Sequence, residues 1–184
     1  MMLELNDVLI EDAEKTVSLM AREGNVTCLT GGSDSLRKKL LLAILGLEPI
    51  KSGFVSIDGE PLTPQTVSIL RHLMTYAPAE LEAEGEVIVY APPSVQNVFE
   101  LKDNRDAEIS NGIFDEEMKR TGASEKKARL LATAVLRKRP VLLVDQPDAL
   151  SADYLRSQAK GGRIVLVCSD EREILDMSDE IIQL

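Results

Sequence analysis

Three unbroken apolar runs constrain the fold more than anything else in the chain: "VTCLT" (26–30), "VLLVD" (141–145) and "RIVLVCS" (163–169). A strand with one wet face alternates apolar and polar residues. A continuous Val/Leu/Ile run fits a strand covered on both faces. Segments of helical character alternate with these runs. That order predicts an α/β fold with a mainly parallel core sheet flanked by helices. With 184 residues, 44% of them hydrophobic, the chain is long enough for one domain with a sizeable core.

The remaining segments fit around that sheet. "MLELNDV" (2–8) alternates and predicts an edge strand, and "TVSLM" (16–20) predicts a second, giving antiparallel β structure at the N-terminus. "FVSIDGEPL" (54–62) reads as a strand, an Asp-Gly turn and a loop, and "LMTYAP" (73–78) as a further strand. A helix is expected from Ser35 to Leu47, with Pro49 and Gly53 as breakers. A second is expected from Ser124, as N-cap, to Leu136, before the basic "RKR" and Pro140. Residues 79–123 mix acidic, turn and helix signals and read as a reduced helical insertion within a single domain, 1–184.

Charge and composition exclude several classes. A net charge of −10 argues against nucleic acid or an anionic membrane as partner. The longest apolar run, Leu40 to Leu47, is too short to span a bilayer, so no direct membrane insertion is expected. The opening "MMLELNDV" does not read as a signal peptide. Cys28 and Cys168 both sit inside apolar runs and read as buried free thiols of a cytoplasmic protein. His72, the one histidine, reads as a surface helix residue.

One stretch carries the functional question: "LTGGSDSLRKKLLLAILGLEP" (29–49). An apolar strand runs into Gly31 and Gly32, a polar loop follows, and basic residues open a helix. This is the layout of a phosphate-binding loop, G-x-x-x-x-G-K-[ST]. The residues that would do the chemistry depart from it.

The order of pieces resembles the ATP-binding subunit of an ABC transporter (an ABC ATPase of the P-loop NTPase superfamily), over nearly the whole chain. The family's glycine-rich loop enters a helix ending I-x-G-L, followed by G-x-x-x-x-D-G. Here Ile44-Leu45-Gly46-Leu47 and Gly53 to Gly59 are similar. Tyr76-Ala77-Pro78-Ala79 resembles the family's Y-V-P-Q, and Leu142-Leu143-Val144-Asp145-Gln146-Pro147 its L-L-L-D-E-P. Thr121 to Glu125, running on to Leu136, resembles the signature helix, and Val165 to Ser169 the last strand with its T-H.

The resemblance implies a site whose parts are replaced. Counting back from Gly46, Arg37 stands for the loop lysine, Leu36 for the glycine before it and Asp34 for the central glycine; Gly31, Gly32, Ser33 and Ser35 complete the loop. Lys38 and Lys39 stand where hydroxyls are expected, the first of them at a Mg²⁺ ligand. Leu36 adds bulk where backbone must approach phosphate. Asp34 adds negative charge, and Arg37 is a forked cation that does not substitute conservatively for lysine. Asp145 keeps the Walker B carboxylate, but Gln146 replaces the catalytic glutamate and Ser169 the switch histidine. An amide can orient a water but cannot take its proton. Ala79 replaces the glutamine that follows the tyrosine strand, and no aromatic residue precedes Phe54 to stack on adenine. The signature-like residues are Gly122, Ala123, Ser124 and Glu125. Asp145, lacking Mg²⁺, is expected to pair with Lys38 or Arg37.

The expectation is therefore an ABC-ATPase-like protein that is catalytically silent. It would be a structural or regulatory partner of an active ABC ATPase subunit or a membrane component, or would form a homodimer. It would be cytoplasmic, or peripheral at the inner face of the membrane through a partner. ATP and Mg²⁺ are expected to bind weakly if at all, and no metal site of its own is expected. The alternatives are a working ATPase that is slow or acts in a heterodimer, and a stand-alone scaffold on this fold.

Overall fold

The computed structural model describes residues 1–80 and 111–184. Most of the segment expected as an insertion, 81–110, lies outside the described residues. Nine strands and six helices are described. The strands are β1 (Met2–Ile10), β2 (Val17–Arg22), β3 (Val26–Thr30), β4 (Ile50–Ile57), β5 (Glu60–Pro61), β6 (Met74–Ala77), β7 (Val141–Asp145), β8 (Ile164–Cys168) and β9 (Glu180–Gln183). The helices are α1 (Asp34–Ile44), α2 (Val67–Arg71), α3 (Asn111–Arg120), α4 (Glu125–Leu136), α5 (Ala152–Lys160) and α6 (Arg172–Met177).

The three continuous apolar runs are the centre of a parallel sheet ordered β6-β7-β8-β3-β9. Every residue of β7 and of β8 is buried, because both faces are covered. On one face Val141, Leu143, Ile164, Leu166 and Cys168 pack with α1 and the N-terminal sheet. On the other, Leu142, Val144, Val165 and Val167 pack with α4, α5 and α6. Cys28 belongs to the second layer and Cys168 to the first, so the two thiols lie on opposite faces. Both are free and buried, and burial pushes the Cys28 thiol up to about 11. Asp145 continues the alternation of Val141 and Leu143, which directs it to the α1 side.

The N-terminal strands form a second, antiparallel sheet ordered β2-β1-β4-β5. Residues 2–8 were expected at an edge. The structure corrects this: β1 is interior, paired with β2 and β4. Its alternation reflects one wet face, not a free edge. The two sheets share one core: Leu3, Leu5 and Ile57 of the antiparallel sheet cluster with Leu40, Leu41 and Ile44 of α1.

Register between β1 and β4 breaks after Asn6, where Asp7 takes a φ of 46° and the strand bulges. Gly53 lies opposite with a φ of 79°, and a β-carbon there would collide with the carbonyl oxygens of Asn6 and Asp7. Gly24 has a similar φ of 85° but open space around it. Gly53→Ala is therefore expected to destabilise by clearly more than about 1 kcal/mol. Gly24→Ala should show only the smaller cost of the left-handed backbone. Urea unfolding of the two variants checks the difference.

Candidate functional site

The glycine-rich loop is shaped by its backbone. β3 ends at Thr30, and Gly31 and Gly32 follow with φ of 74° and 64°, turning the chain towards α1. Ser33 caps α1: its Oγ accepts from the N–H of Leu36 at 3.1 Å, and its carbonyl from the N–H of Arg37 at 3.0 Å. Asp34 in the first turn suits the positive end of the helix dipole.

Arg37 does not face the loop's mouth. Its side chain is 4% exposed and folds back over the turn. Nη1 donates to the Gly31 carbonyl at 2.8 Å and to Asp170 Oδ2 at 2.6 Å, and Nη2 pairs with Asp34. Asp170 Oδ1 also accepts from the Thr30 hydroxyl at 2.7 Å and the Gly31 N–H at 2.8 Å. The Gly31 N–H, then the Thr30 hydroxyl and Arg37, hold the Asp170 carboxyl down to about 2. Lys39 pairs with Asp12, tying α1 to the turn between β1 and β2. Leu36 turns with Gly32 into a different cleft of about 500 Å³, beside Ile10, Val17, Leu40 and Leu184. Ser169 is buried and its Oγ accepts from the Glu171 N–H at 3.0 Å, a local turn contact.

A cavity of about 440 Å³ brings together Asp34, Ser35, Lys38, Ala79, Asp145 and Gln146, and sequence reasoning missed a further member, Lys127 of α4. Lys127 Nζ donates to the carbonyl of Gln146 at 2.7 Å. Gln146 has a φ of 45°, and its N–H donates to the Cys168 carbonyl at 2.9 Å. The expected ion pair with Asp145 is not formed. Asp145 is 3% exposed; Oδ2 accepts from the Tyr76 hydroxyl at 3.4 Å, and Oδ1 has no partner. Arg37 is held by Asp34 and Asp170 instead, and Lys38 acts on Asp145 only through charge at longer range. Arg37 Nη1 serves both the Gly31 carbonyl and Asp170, and Nη2 serves Asp34, which leaves neither terminal nitrogen for Asp145.

The signature-like segment does not line this cavity itself, but Ala123 lines an adjoining crevice together with Lys127, Asp145 and Gln146. Gly122 has a φ of 70°, and a β-carbon there would lie 2.7 Å from the Leu150 carbonyl oxygen. Ala123 follows with its N–H towards the Thr121 hydroxyl, and Ser124 is the N-cap of α4, without a side-chain capping bond. Its backbone N–H donates to Asp148 Oδ2 at 3.0 Å. That bond, ahead of a second from the Leu150 N–H, holds the Asp148 carboxyl below its usual range. Glu125 starts α4 and faces Arg129 one turn on. His72 lies just past the end of α2 and is exposed. Sequence reasoning missed Asp148, Asp170 and Asp12 as partners. The available signal was their placement after a strand end or in a turn beside a basic helix start.

These residues do not fit Mg²⁺ with a polyphosphate. Arg37 is committed to two carboxylates, Lys38 brings a cation to the same cavity as Asp145, where a metal ion would be repelled, and the first-turn Asp34 opposes phosphate. Among the described residues, no cluster of three or more His, Cys, Asp or Glu side chains is arranged to hold a metal ion.

Burial pushes the Asp145 carboxyl above its ordinary 3.8; the Tyr76 hydroxyl and the charges of Lys38 and Arg37 offset this only in part. The unfolded chain therefore gives up this proton more readily than the folded one. Stability from the group is greatest at low pH and declines as pH rises through the folded value. Asp145→Asn, which cannot ionise, is expected to gain stability relative to the wild type as pH rises from below the ordinary carboxyl value of 3.8 to neutrality. Urea unfolding across that range checks it, and a pH-independent difference would contradict the account.

No protein-family model matches the chain. In sequence it is 28% identical over 199 residues to a ribose import ATP-binding protein of Rubrobacter xylanophilus, covering 90% of this chain and 38% of that protein. A thiamine import ATP-binding protein of Histophilus somni is 23% identical over 183 residues, covering 88% of this chain and 84% of that one. The chain spans about two fifths of the length of the sugar-import relatives it matches. A putative ABC transporter ATP-binding protein from Pyrococcus furiosus superposes with a TM-score of 0.74 at 14% identity, covering 100% of this chain and 98% of that one. The cbiO1 subunit of a Clostridium perfringens ABC transporter complex, cbiONQ, superposes at 0.70 with 17% identity, covering 98% and 83%. The chain therefore has the ABC ATPase fold, and its sequence resembles those of ABC transporter ATP-binding subunits.

Proposed function

We propose that the chain is a catalytically silent ABC-ATPase-like domain that serves as a structural or regulatory partner in an ABC-type transport complex. One observation carries the reading. The only cation at the loop-lysine position, Arg37, is buried and bound to Asp34 and Asp170 within the chain. A phosphate arriving at the loop would have to displace both carboxylates and meet the negative charge of Asp34.

The hydrolytic side agrees. Gln146 follows Asp145 with its backbone fixed by Cys168 and Lys127, but its amide has no basicity with which to take a proton from water. Ser169 uses its hydroxyl in a turn. The partners this reading implies are an active ATPase subunit, a membrane component or a second copy. Among the described residues no helix is long and apolar enough to cross a membrane.

The purified protein is expected to release no phosphate from Mg-ATP above a mock preparation. Isothermal titration should show no saturable heat below about 1 mM nucleotide. Low-micromolar binding, or turnover abolished by Asp145→Ala, would overturn the proposal. Restoring Lys at 37 and Ser at 38 together is expected to leave hydrolysis absent, since Gln146 and Ser169 remain. A phosphate-release assay on that double variant checks this separately.

A further inference from the structure

We propose that Thr30, Gly31 and Arg37 form an oxyanion cradle whose resident ligand is the chain's own Asp170, latching the glycine-rich loop from within. Three donors of different kinds converge on one carboxylate. The Thr30 hydroxyl and Gly31 N–H reach Oδ1 at 2.7 and 2.8 Å, and Arg37 Nη1 reaches Oδ2 at 2.6 Å. Together they satisfy both oxygens with charge-assisted bonds, as a small carboxylate requires.

The donors and the acceptor come from distant parts of the chain. Asp170 lies 133 residues from Arg37, in the loop between β8 and α6. It has no local use there. Glu171, not Asp170, is the N-cap of α6, and Ser169 Oγ closes the turn onto the Glu171 N–H. The whole carboxylate is directed at the loop after β3.

Burial is distributed as in a receptor and its ligand. The Arg37 side chain is 4% exposed, whereas that of Asp170 is 56% exposed. The cradle therefore opens to solvent on the side where Asp170 enters, and a free anion could follow the same path if Asp170 were shortened. Asp34 holds the other guanidinium nitrogen from the surface and leaves the cradle's three donors untouched. The carboxyl of Asp170 stays ionised throughout the physiological range, so pH does not open the latch. Tethering gives Asp170 an effective concentration far above that of millimolar anions in solution, so the wild-type protein is insensitive to them.

The test needs no nucleotide and is independent of the proposed silent role. Asp170→Ala in the full chain removes the ligand and leaves a buried, half-neutralised guanidinium. Its melting temperature is expected to fall by about 10 °C in chloride. Formate at about 100 mM and matched ionic strength should recover at least half of that loss, saturably, because its carboxylate can occupy the emptied cradle. The wild type should melt alike in both salts. Asp170→Asn should lose less and ignore formate, because the amide still fills the space. If the alanine variant is unfolded in chloride, refolding from urea makes the same comparison, and recovery in formate alone is the expected result. The proposal is overturned if Asp170→Ala melts like the wild type, if its loss is equal in formate and chloride, or if it refolds in neither salt.

Discussion

The position of one buried cation organises this end of the molecule. A guanidinium taken out of water must find carboxylates or carbonyls with good geometry, or the fold loses several kcal/mol. Arg37 finds Asp170, Asp34 and the Gly31 carbonyl, and in doing so joins the start of α1 to the end of β3 and the loop after β8. Those are the elements on which a phosphate loop is built. With both terminal nitrogens engaged there, Arg37 makes no bond to Asp145; its own Nε and the Asp145 Oδ1 are both buried without a partner.

The same pattern recurs at the second anion-seeking end. The N-terminal amide of α4 at Ser124 points to Asp148, as the Gly31 amide points to Asp170. Lys39, midway along α1, is likewise neutralised by Asp12. In a chain of net charge −10, carboxylates are abundant, and here they sit on the donors that would otherwise attract an external anion. Fold and chemistry are separable for this reason. Both sheets and their helix layers rest on apolar packing that does not involve these residues, so the scaffold does not depend on the chemistry of the site.

Much of the scaffold was legible in the residues themselves. β7 and β8 are almost wholly Val/Leu/Ile, and β3 has small, mostly buried residues between its Val and Leu, as burial on both faces demands. The edge reading of β1 failed because alternation reports a wet face and says nothing about whether the two flanking strands exist. The short helices α2 and α6 and strand β9 carry too few residues for a periodic signal. At the site, Leu36, Arg37, Lys38, Gln146 and Ser169 are singled out by counting along the sequence against the resembled motifs. The partner of Arg37 could not be found this way, because Asp170 lies 133 residues away and only the folded turn brings it beside the Gly31 carbonyl, within reach of the same guanidinium nitrogen. Charge alone favoured the wrong acid.

The central claim is that Arg37 is held by the chain's own carboxylates so firmly that a polyphosphate does not take it. A crystal structure of the protein grown in saturating Mg-ATP tests this most directly. The account predicts Arg37 still on Asp170 and Asp34, with neither metal nor phosphate density beside Asp145 or along residues 33–39. A released Arg37, with nucleotide phosphates over the start of α1 and Mg²⁺ at Asp145, would contradict it.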